Sequence, residues 1–126
     1  MTRCDVVLAE DDDDLRAALV LALERHGLSV VGAGDEAVVV SIVRAYHPSV
    51  LILDLTMGCH VARRLRADPA TRTLPIVVAS GARDLERQAA RLGAAAVLPK
   101  PFGLRDLYAT IRPFCRPLAA GSVRPV

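Results

Sequence analysis

Short apolar runs alternate with longer amphipathic stretches along the whole chain. The apolar runs are residues 5–9, 28–33, 50–53, 76–79 and 95–98. Nearly continuous apolar runs of this length are typical of strands buried on both faces of a parallel sheet. The stretches between them have helical spacing and predict helices at residues 15–26, 36–46, about 61–66, 84–92 and 104–112.

Glycine and proline residues support these boundaries. Gly27 and Gly93 follow predicted helices, and Pro48, Pro75 and Pro113 end or separate elements. Alternating strands and helices in this order predict an α/β fold, with a doubly wound five-stranded parallel sheet and right-handed crossovers. In such sheets the ligand site lies beyond the carboxyl ends of the strands.

Composition limits the class of protein. The 126 residues are 52% hydrophobic with a mean hydropathy of +0.34, which predicts one compact domain. The net charge of +2 comes from charged residues that are dispersed apart from the acidic run at residues 10–14, without a basic surface of the extent that nucleic-acid binding needs, so we do not expect direct DNA binding. No apolar run approaches the roughly 18 residues of a membrane span. Cys4, Cys59 and Cys115 form no CxxC pair, and no leader is evident, which predicts reduced thiols and a cytoplasmic location.

Polar residues close the predicted strands. Glu10 and Asp11 follow the first strand, Asp54 follows the third, Ser80 the fourth and Lys100 the fifth. Because the carboxyl ends of parallel strands share one edge of the sheet, we expect these side chains to meet there. The lysine is the only one in the chain, which otherwise uses arginine, so a compact point charge is favoured at that position.

This set of residues predicts chemistry on a phosphoryl group. Neighbouring carboxylates repel one another unless a cation neutralises them, and oxygen ligands of this kind suit Mg²⁺. A carboxylate such as Asp54 beside a metal ion is a candidate nucleophile toward phosphorus. Lys100 and Ser80 would then contact phosphoryl oxygens. Three further acids, residues 12–14, directly follow Asp11 and are expected to cap the first helix and to complement its dipole.

Four segments of the chain resemble the receiver domain of bacterial two-component response regulators. In chain order they are VVLAEDDDDLR, LILDLTM, PIVVASG and LPKPF. The resemblance covers about residues 4–112 and implies a flavodoxin-like (βα)5 fold. It implies a phosphoprotein of phosphorelay signal transduction, which takes a phosphoryl group on Asp54 from a sensor histidine kinase or a phosphotransfer protein. The resulting change in its interaction surface would act on a downstream protein whose identity is unknown.

The resemblance also implies roles for individual residues. Asp11, Asp54 and the backbone carbonyl of Thr56 would bind Mg²⁺ directly, and Glu10 would act through water. Ser80 matches the switch hydroxyl of the family. Lys100 matches its phosphate-binding lysine, and the following Lys-Pro bond is usually cis.

Three departures from the family pattern are visible. Val97 stands where the family usually has an aromatic residue that moves on phosphorylation. The segment after Asp54 is about four residues shorter than usual, which puts metal affinity in question. The last helix stops at Pro113, so we expect a receiver domain at residues 1–115 and a flexible tail or truncated linker at 116–126.

Two other functions remain open at this point. One is a degenerate receiver that acts as a phosphorylation-independent interaction module. The other is a Mg²⁺-dependent aspartyl phosphatase, but Asp54-Leu55-Thr56 lacks the second acid that such enzymes use. We therefore expect no enzyme beyond self-phosphorylation and slow autodephosphorylation. A homodimer through the fourth helix, fifth strand and fifth helix is a further expectation. The fourth helix is predicted to carry a basic stripe of Arg83, Arg87 and Arg91, which either docks an acidic partner or a second receiver or is a solvated face.

Overall fold

The structure, a computed structural model, describes residues 2–3, 5–57 and 59–117. Its strands are β1 (Thr2–Arg3), β2 (Asp5–Ala9), β3 (Ser29–Ala33), β4 (Val50–Asp54), β5 (Ile76–Ser80), β6 (Ala96–Pro99) and β7 (Arg116–Pro117). Its helices are α1 (Asp13–Arg25), α2 (Glu36–Tyr46), α3 (His60–Ala67), α4 (Leu85–Arg91) and α5 (Leu104–Ile111).

The main sheet is parallel, with the strand order β3-β2-β4-β5-β6. This confirms the predicted doubly wound α/β fold. The register places Leu53 beside Ala9, Ala79 beside Asp54 and Pro99 beside Ser80. The carboxyl ends of the strands are thereby level with one another, which positions the residues that follow them at one edge.

The central strand β4 shows why the strand runs are continuously apolar. All five of its residues are buried. Leu51 and Leu53 pack into one core cluster, which includes side chains of α2, α3 and α4. Val50 and Ile52 pack into the other cluster, which includes side chains of α1 and α5. Because helices cover both faces of the sheet, the first four residues of the strand lie away from water on either face and are apolar, and only the last residue, Asp54, is polar.

The helix bounds agree with the predicted ones to within about two residues. Helix α1 begins earlier than predicted because the carboxylate of Asp12 accepts a hydrogen bond from the Leu15 N–H at 3.0 Å and caps the helix. Helix α4 begins at Leu85, so Arg83 precedes it. The prediction of a basic stripe on one helix is therefore wrong for Arg83.

The two ends of the described chain lie together. Strands β1 and β7 form a separate antiparallel pair, with Thr2 opposite Pro117. The rest of the predicted tail, residues 118–126, lies outside the described residues, and so does Cys4.

Cys59 is a free thiol, whereas Cys115 is disulfide-bonded, so the expectation of reduced thiols is wrong for Cys115. None of the described helices combines the length and apolar character that crossing a bilayer requires.

Candidate functional site

The polar residues predicted to meet at the carboxyl edge of the sheet do lie there. Asp54 and Ser80 are the last residues of β4 and β5, and Glu10 and Lys100 directly follow β2 and β6. Glu10 and Asp54 are 3% and 4% exposed, which is unusual for carboxylates. Asp11 is exposed to solvent. The site therefore has two buried acids and one accessible acid.

Lys100 joins the two buried acids. Its Nζ lies 2.7 Å from Asp54 Oδ2 and 3.5 Å from Glu10 Oε1. The backbone supports this placement, because the Lys100 N–H donates to the Ser80 carbonyl oxygen at 2.9 Å. The Lys100–Pro101 peptide is cis, as the resemblance implies. The lone lysine thus supplies positive charge to two carboxylates that would otherwise repel each other.

The two buried acids differ in charge state. Burial raises the pKa of Glu10 to about 7, and its hydrogen bond with Asp54 and the charge of Asp54 add to this effect, although Lys100 opposes it. Burial alone would also raise the pKa of Asp54. Hydrogen bonds with Glu10, Lys100 and the Thr56 N–H outweigh that effect and hold the pKa of Asp54 below its usual value. Asp54 is therefore the ionised carboxylate at neutral pH, and Glu10 titrates close to neutrality.

Lys100 is charged at neutral pH as well. Burial acts against its charged form, but the hydrogen bond to Asp54 and the charges of Asp54 and Glu10 outweigh burial and raise the pKa of the ammonium. The site consequently presents one fixed positive charge against its acids. A further cation would be needed to balance them.

The acids have a geometry that suits a divalent ion. Carboxylate oxygens of Glu10, Asp11 and Asp54 lie within 4.8 Å of one another. Thr56 links two of these acids, because its N–H donates to Asp54 Oδ1 at 3.0 Å and its hydroxyl donates to Asp11 Oδ1 at 3.4 Å. An oxygen-only donor set with one solvent-accessible carboxylate matches the preference of Mg²⁺ for carboxylates and retained waters. The predicted roles of the Thr56 carbonyl and of water at Glu10 stay predictions.

Ser80 lies at the edge of the site, where the sequence predicts it. Its side-chain oxygen accepts a hydrogen bond from the Ala82 N–H at 3.0 Å. The residue is 7% exposed. Within the part of the chain that the structure covers, its hydroxyl bonds to neither Asp54 nor Lys100. The hydroxyl proton is consequently available to an incoming oxygen, as the predicted switch role requires.

Two departures from the family pattern are visible in the structure. Val97 is partly buried and packs against the core cluster beneath α4. After Asp54 the chain makes a short 3₁₀ turn at Leu55–Met57, and α3 begins at His60 with only eight residues. The short segment still allows Thr56 to contact both Asp11 and Asp54.

Sequence reasoning missed one residue near the site. The Arg16 guanidinium donates from Nη1 to the backbone carbonyl oxygen of Glu10 at 2.8 Å. The only sequence signal is indirect, in the glycines Gly32 and Gly34, whose small size leaves room for the arginine. An arginine in the first turns of a helix, six residues after an acid, has no pattern that marks it as part of a site.

Comparisons with known proteins agree with this geometry. Residues 6–112 match the response regulator receiver domain family. The chain is 37% identical over 117 residues to the response regulator MprA of Mycobacterium leprae, covering 87% of this chain and 50% of that protein. It is 37% identical over 114 residues to the transcriptional regulatory protein PdtaR of Mycobacterium tuberculosis, covering 84% of this chain and 54% of that protein. The chain thus spans about half the length of these relatives.

Solved structures show the same fold. A response regulator from Chloroflexus aurantiacus superimposes with a TM-score of 0.81 at 26% identity, covering 89% of this chain and 97% of that one. A chemotaxis response regulator of Vibrio cholerae also gives 0.81, at 22% identity, covering 90% and 99% of the two chains. Because the family match spans residues 6–112 and a response regulator is 37% identical over 87% of this chain, the chain belongs to the response regulator receiver domain family.

Proposed function

We propose that Asp54 accepts a phosphoryl group from a histidine kinase or a phosphotransfer protein, with Mg²⁺ held by Asp11, Asp54 and the backbone carbonyl of Thr56 directly and by Glu10 through water. The protein is a receiver domain of two-component signalling, and this proposal specifies its chemistry. The observation that carries it is the contact of 2.7 Å between Lys100 Nζ and Asp54 Oδ2, beside three clustered carboxylates. Phosphorylation would then alter the surface presented to a downstream protein.

The reacting groups in phosphoryl transfer to Asp54 are its carboxylate, the phosphohistidine of the donor and a proton from solvent. An oxygen of the Asp54 carboxylate attacks phosphorus, the P–N bond of the donor phosphohistidine breaks, and the leaving imidazole nitrogen takes a proton from solvent. The product is an acyl phosphate on Asp54. When bound, Mg²⁺ supplies positive charge that offsets the phosphoryl oxygens. Lys100 pairs with a phosphoryl oxygen, and the Ser80 hydroxyl donates a hydrogen bond to another.

The low pKa of Asp54 supports its role as the attacking group. Attack requires the ionised carboxylate, and its hydrogen bonds with Glu10, Lys100 and the Thr56 N–H favour that form despite burial. Glu10 is less suited, because burial keeps its pKa near 7 and a fraction of it is protonated at neutral pH. Asp11 is exposed and lacks the short contact to the ammonium. Of the three acids, Asp54 is the best nucleophile.

The side chain two residues after Asp54 supports a receiver and not an aspartyl phosphatase. Thr56 has a hydroxyl where a phosphatase would place a second acid, and that hydroxyl bonds to Asp11. We therefore propose that the protein catalyses nothing beyond its own phosphorylation and the slow loss of that group.

A direct test uses a small phosphodonor. The purified protein is incubated with Mg²⁺ and acetyl phosphate, and intact mass spectrometry measures the added phosphoryl group. We expect an adduct on the wild type that disappears with EDTA and in Asp54→Asn. Asp84→Asn is the matched control, because Asp84 is an exposed acid at the start of α4, outside the site.

Two results would overturn the proposal. One is the absence of a Mg²⁺-dependent adduct on a folded wild type, and the other is an adduct that survives Asp54→Asn. The first result would point to a receiver that acts as an interaction module without phosphorylation, and the second would place the phosphoryl group on a residue other than Asp54. Beryllofluoride with Mg²⁺, followed by NMR of the backbone amides, gives a second measurement that does not depend on the lifetime of the acyl phosphate.

A further inference from the structure

Arg16 makes an interaction that local helix structure does not require. Its Nη1 donates to the Glu10 carbonyl oxygen at 2.8 Å, and its Nη2 donates to Asp13 Oδ1 at 2.6 Å. The Arg16 side chain is 24% exposed, whereas that of Asp13 is 86% exposed. The contact with Asp13 is thus a surface ion pair of small worth, and the partly buried contact with the carbonyl is the stronger one.

Two glycines make room for this arginine. A Cβ on Gly34 would overlap with Arg16 Nη1 and would lie 3.3 Å from the Glu10 carbonyl oxygen. A Cβ on Gly32 would lie 3.1 Å from Arg16 Cγ and 3.0 Å from a methyl carbon of Val20. Neither glycine has a positive φ, unlike Gly27 and Gly93 in the described chain. The two glycines are therefore explained by space for the arginine and not by backbone conformation.

The contacted carbonyl belongs to the peptide that joins the acids Glu10 and Asp11. The N–H of the same peptide, at Asp11, donates to Glu10 Oε2 at 3.1 Å. Upstream, the Glu10 N–H donates to the Ala33 carbonyl oxygen at 3.1 Å. Arg16 therefore holds the carbonyl group of this peptide, while the N–H group of the same peptide donates to the Glu10 carboxylate. Rotation of that plane would move both acids relative to Asp54.

We propose that Arg16 is a positioning residue for the divalent-ion site: with the space left by Gly32 and Gly34, it holds the Glu10–Asp11 peptide so that both carboxylates face the ion. The inference rests on the proposed Mg²⁺ site and names a residue outside its ligand set. Removing an outer contact of this kind from a metal site typically lowers affinity by 10- to 100-fold.

The direction in which Mg²⁺ affinity changes when Arg16 is removed distinguishes a positioning role from a simple effect of its charge. A guanidinium near the site repels a divalent cation, so removing its charge alone would tighten metal binding. Positioning has the opposite consequence, because the freed peptide must be ordered again whenever the ion binds. A loss of affinity in Arg16→Ala therefore cannot come from the missing positive charge.

The experiment measures Mg²⁺ affinity by isothermal titration calorimetry, on proteins shown to be folded by circular dichroism. We expect Arg16→Ala and Gly34→Ala each to lower the affinity about tenfold. The double variant should be no weaker than the weaker single variant, because both changes remove the same contact. Arg25→Ala, at the exposed end of α1, and Gly103→Ala, where a Cβ meets nothing closer than 3.9 Å, are the matched controls.

The outcomes separate this inference from the proposed function. Wild type that does not bind Mg²⁺, or Asp11→Asn that binds as tightly as wild type, would overturn the metal site itself. Wild type that binds and loses binding in Asp11→Asn, with unchanged or tighter binding in Arg16→Ala, would overturn only the role of Arg16. If Arg16→Ala does not fold, Gly34→Ala and Arg16→Lys decide: we expect weaker binding in both, and wild-type affinity in both would overturn the inference.

Discussion

Lys100 Nζ lies 2.7 Å from Asp54 Oδ2, although the two residues are 46 positions apart in the chain. The contact places the only lysine of the protein against the proposed nucleophile. Its consequences can be measured, because the ammonium both stabilises the ionised acid and is available to a phosphoryl oxygen.

Removing that ammonium should impair phosphorylation. We expect Lys100→Met, which keeps the approximate shape but not the charge, to slow adduct formation from acetyl phosphate by about 100-fold. The pKa of Asp54 should rise at the same time, because one of the hydrogen bonds that lower it is lost. Intact mass spectrometry gives the rate, and carboxyl ¹³C NMR gives the pKa. A variant phosphorylated at the wild-type rate would exclude the proposed role of Lys100.

Stability of the metal-free protein should depend on pH through Glu10. Its pKa is raised from 4.5 to about 7 in the fold, so the folded protein binds this proton more tightly than the unfolded chain. The resulting stabilisation is complete below the unfolded value and is lost as the pH rises through about 7. From the conversion of about 1.4 kcal/mol per pKa unit, unfolding between about pH 5 and 8 should become easier by about 2–3 kcal/mol.

Asp54 acts in the opposite direction and in another pH range. The pKa of Asp54 lies below 3.8 in the fold, so its contribution to the free energy of unfolding is present above that value and is lost as the pH falls further.

The prediction for Glu10 is tested by urea unfolding with EDTA, because the comparison of wild type with Glu10→Gln isolates the contribution of Glu10. A wild type whose pH slope equals that of Glu10→Gln would contradict the prediction.

Mg²⁺ affinity should increase with pH for the same reason. Because the ion and the proton compete for Glu10, we expect affinity to rise up to about tenfold per pH unit below about pH 7 and to level off above it. Calorimetry in buffers of different ionisation enthalpy would show the released proton. In Glu10→Gln the dependence should be absent, and a pH-independent affinity in the wild type would contradict the competition.

Arg66 should matter for stability and not for the site. Its Nη1 donates to the carbonyl oxygens of Arg72 and Leu74 at 2.8 and 2.7 Å, and its Nη2 donates to that of Gly93 at 2.9 Å. Burial lowers the pKa of the guanidinium, so these bonds are partly shielded from water. We expect Arg66→Ala to reduce the free energy of unfolding by about 2–4 kcal/mol, since three carbonyls lose a charged donor.

The control for this change lies on the same helix. Arg63 is exposed, and in the described structure its guanidinium has no hydrogen bond or ion pair, so Arg63→Ala should change stability by less than about 0.5 kcal/mol. Urea unfolding measures both variants. Mg²⁺ affinity should stay at the wild-type value in each, and a loss of affinity in Arg66→Ala would show that its three bonds also support the site.

The acid pair Glu10 and Asp11 shows where prediction from the sequence ends. Both residues were predicted at the end of the first strand, and both lie there. Their difference was not predictable, since two neighbouring acids look alike in the sequence. The Glu10 N–H continues the pairing of β2 with β3 through Ala33, so its side chain points into the site, and Asp11 leaves the sheet into solvent. The resulting pKa of Glu10 depends on that burial.

The sequence by itself determined the order of the elements, the parallel sheet and the five residue positions that close its strands. It could do so because buried strands need unbroken apolar runs and because parallel strands bring their carboxyl ends to one edge. Only the tertiary structure decided which acid is buried, that Lys100 bridges Glu10 and Asp54, and that Arg16 holds the peptide between two acids. Those contacts depend on distances between remote segments, which side-chain packing sets and local sequence pattern does not encode.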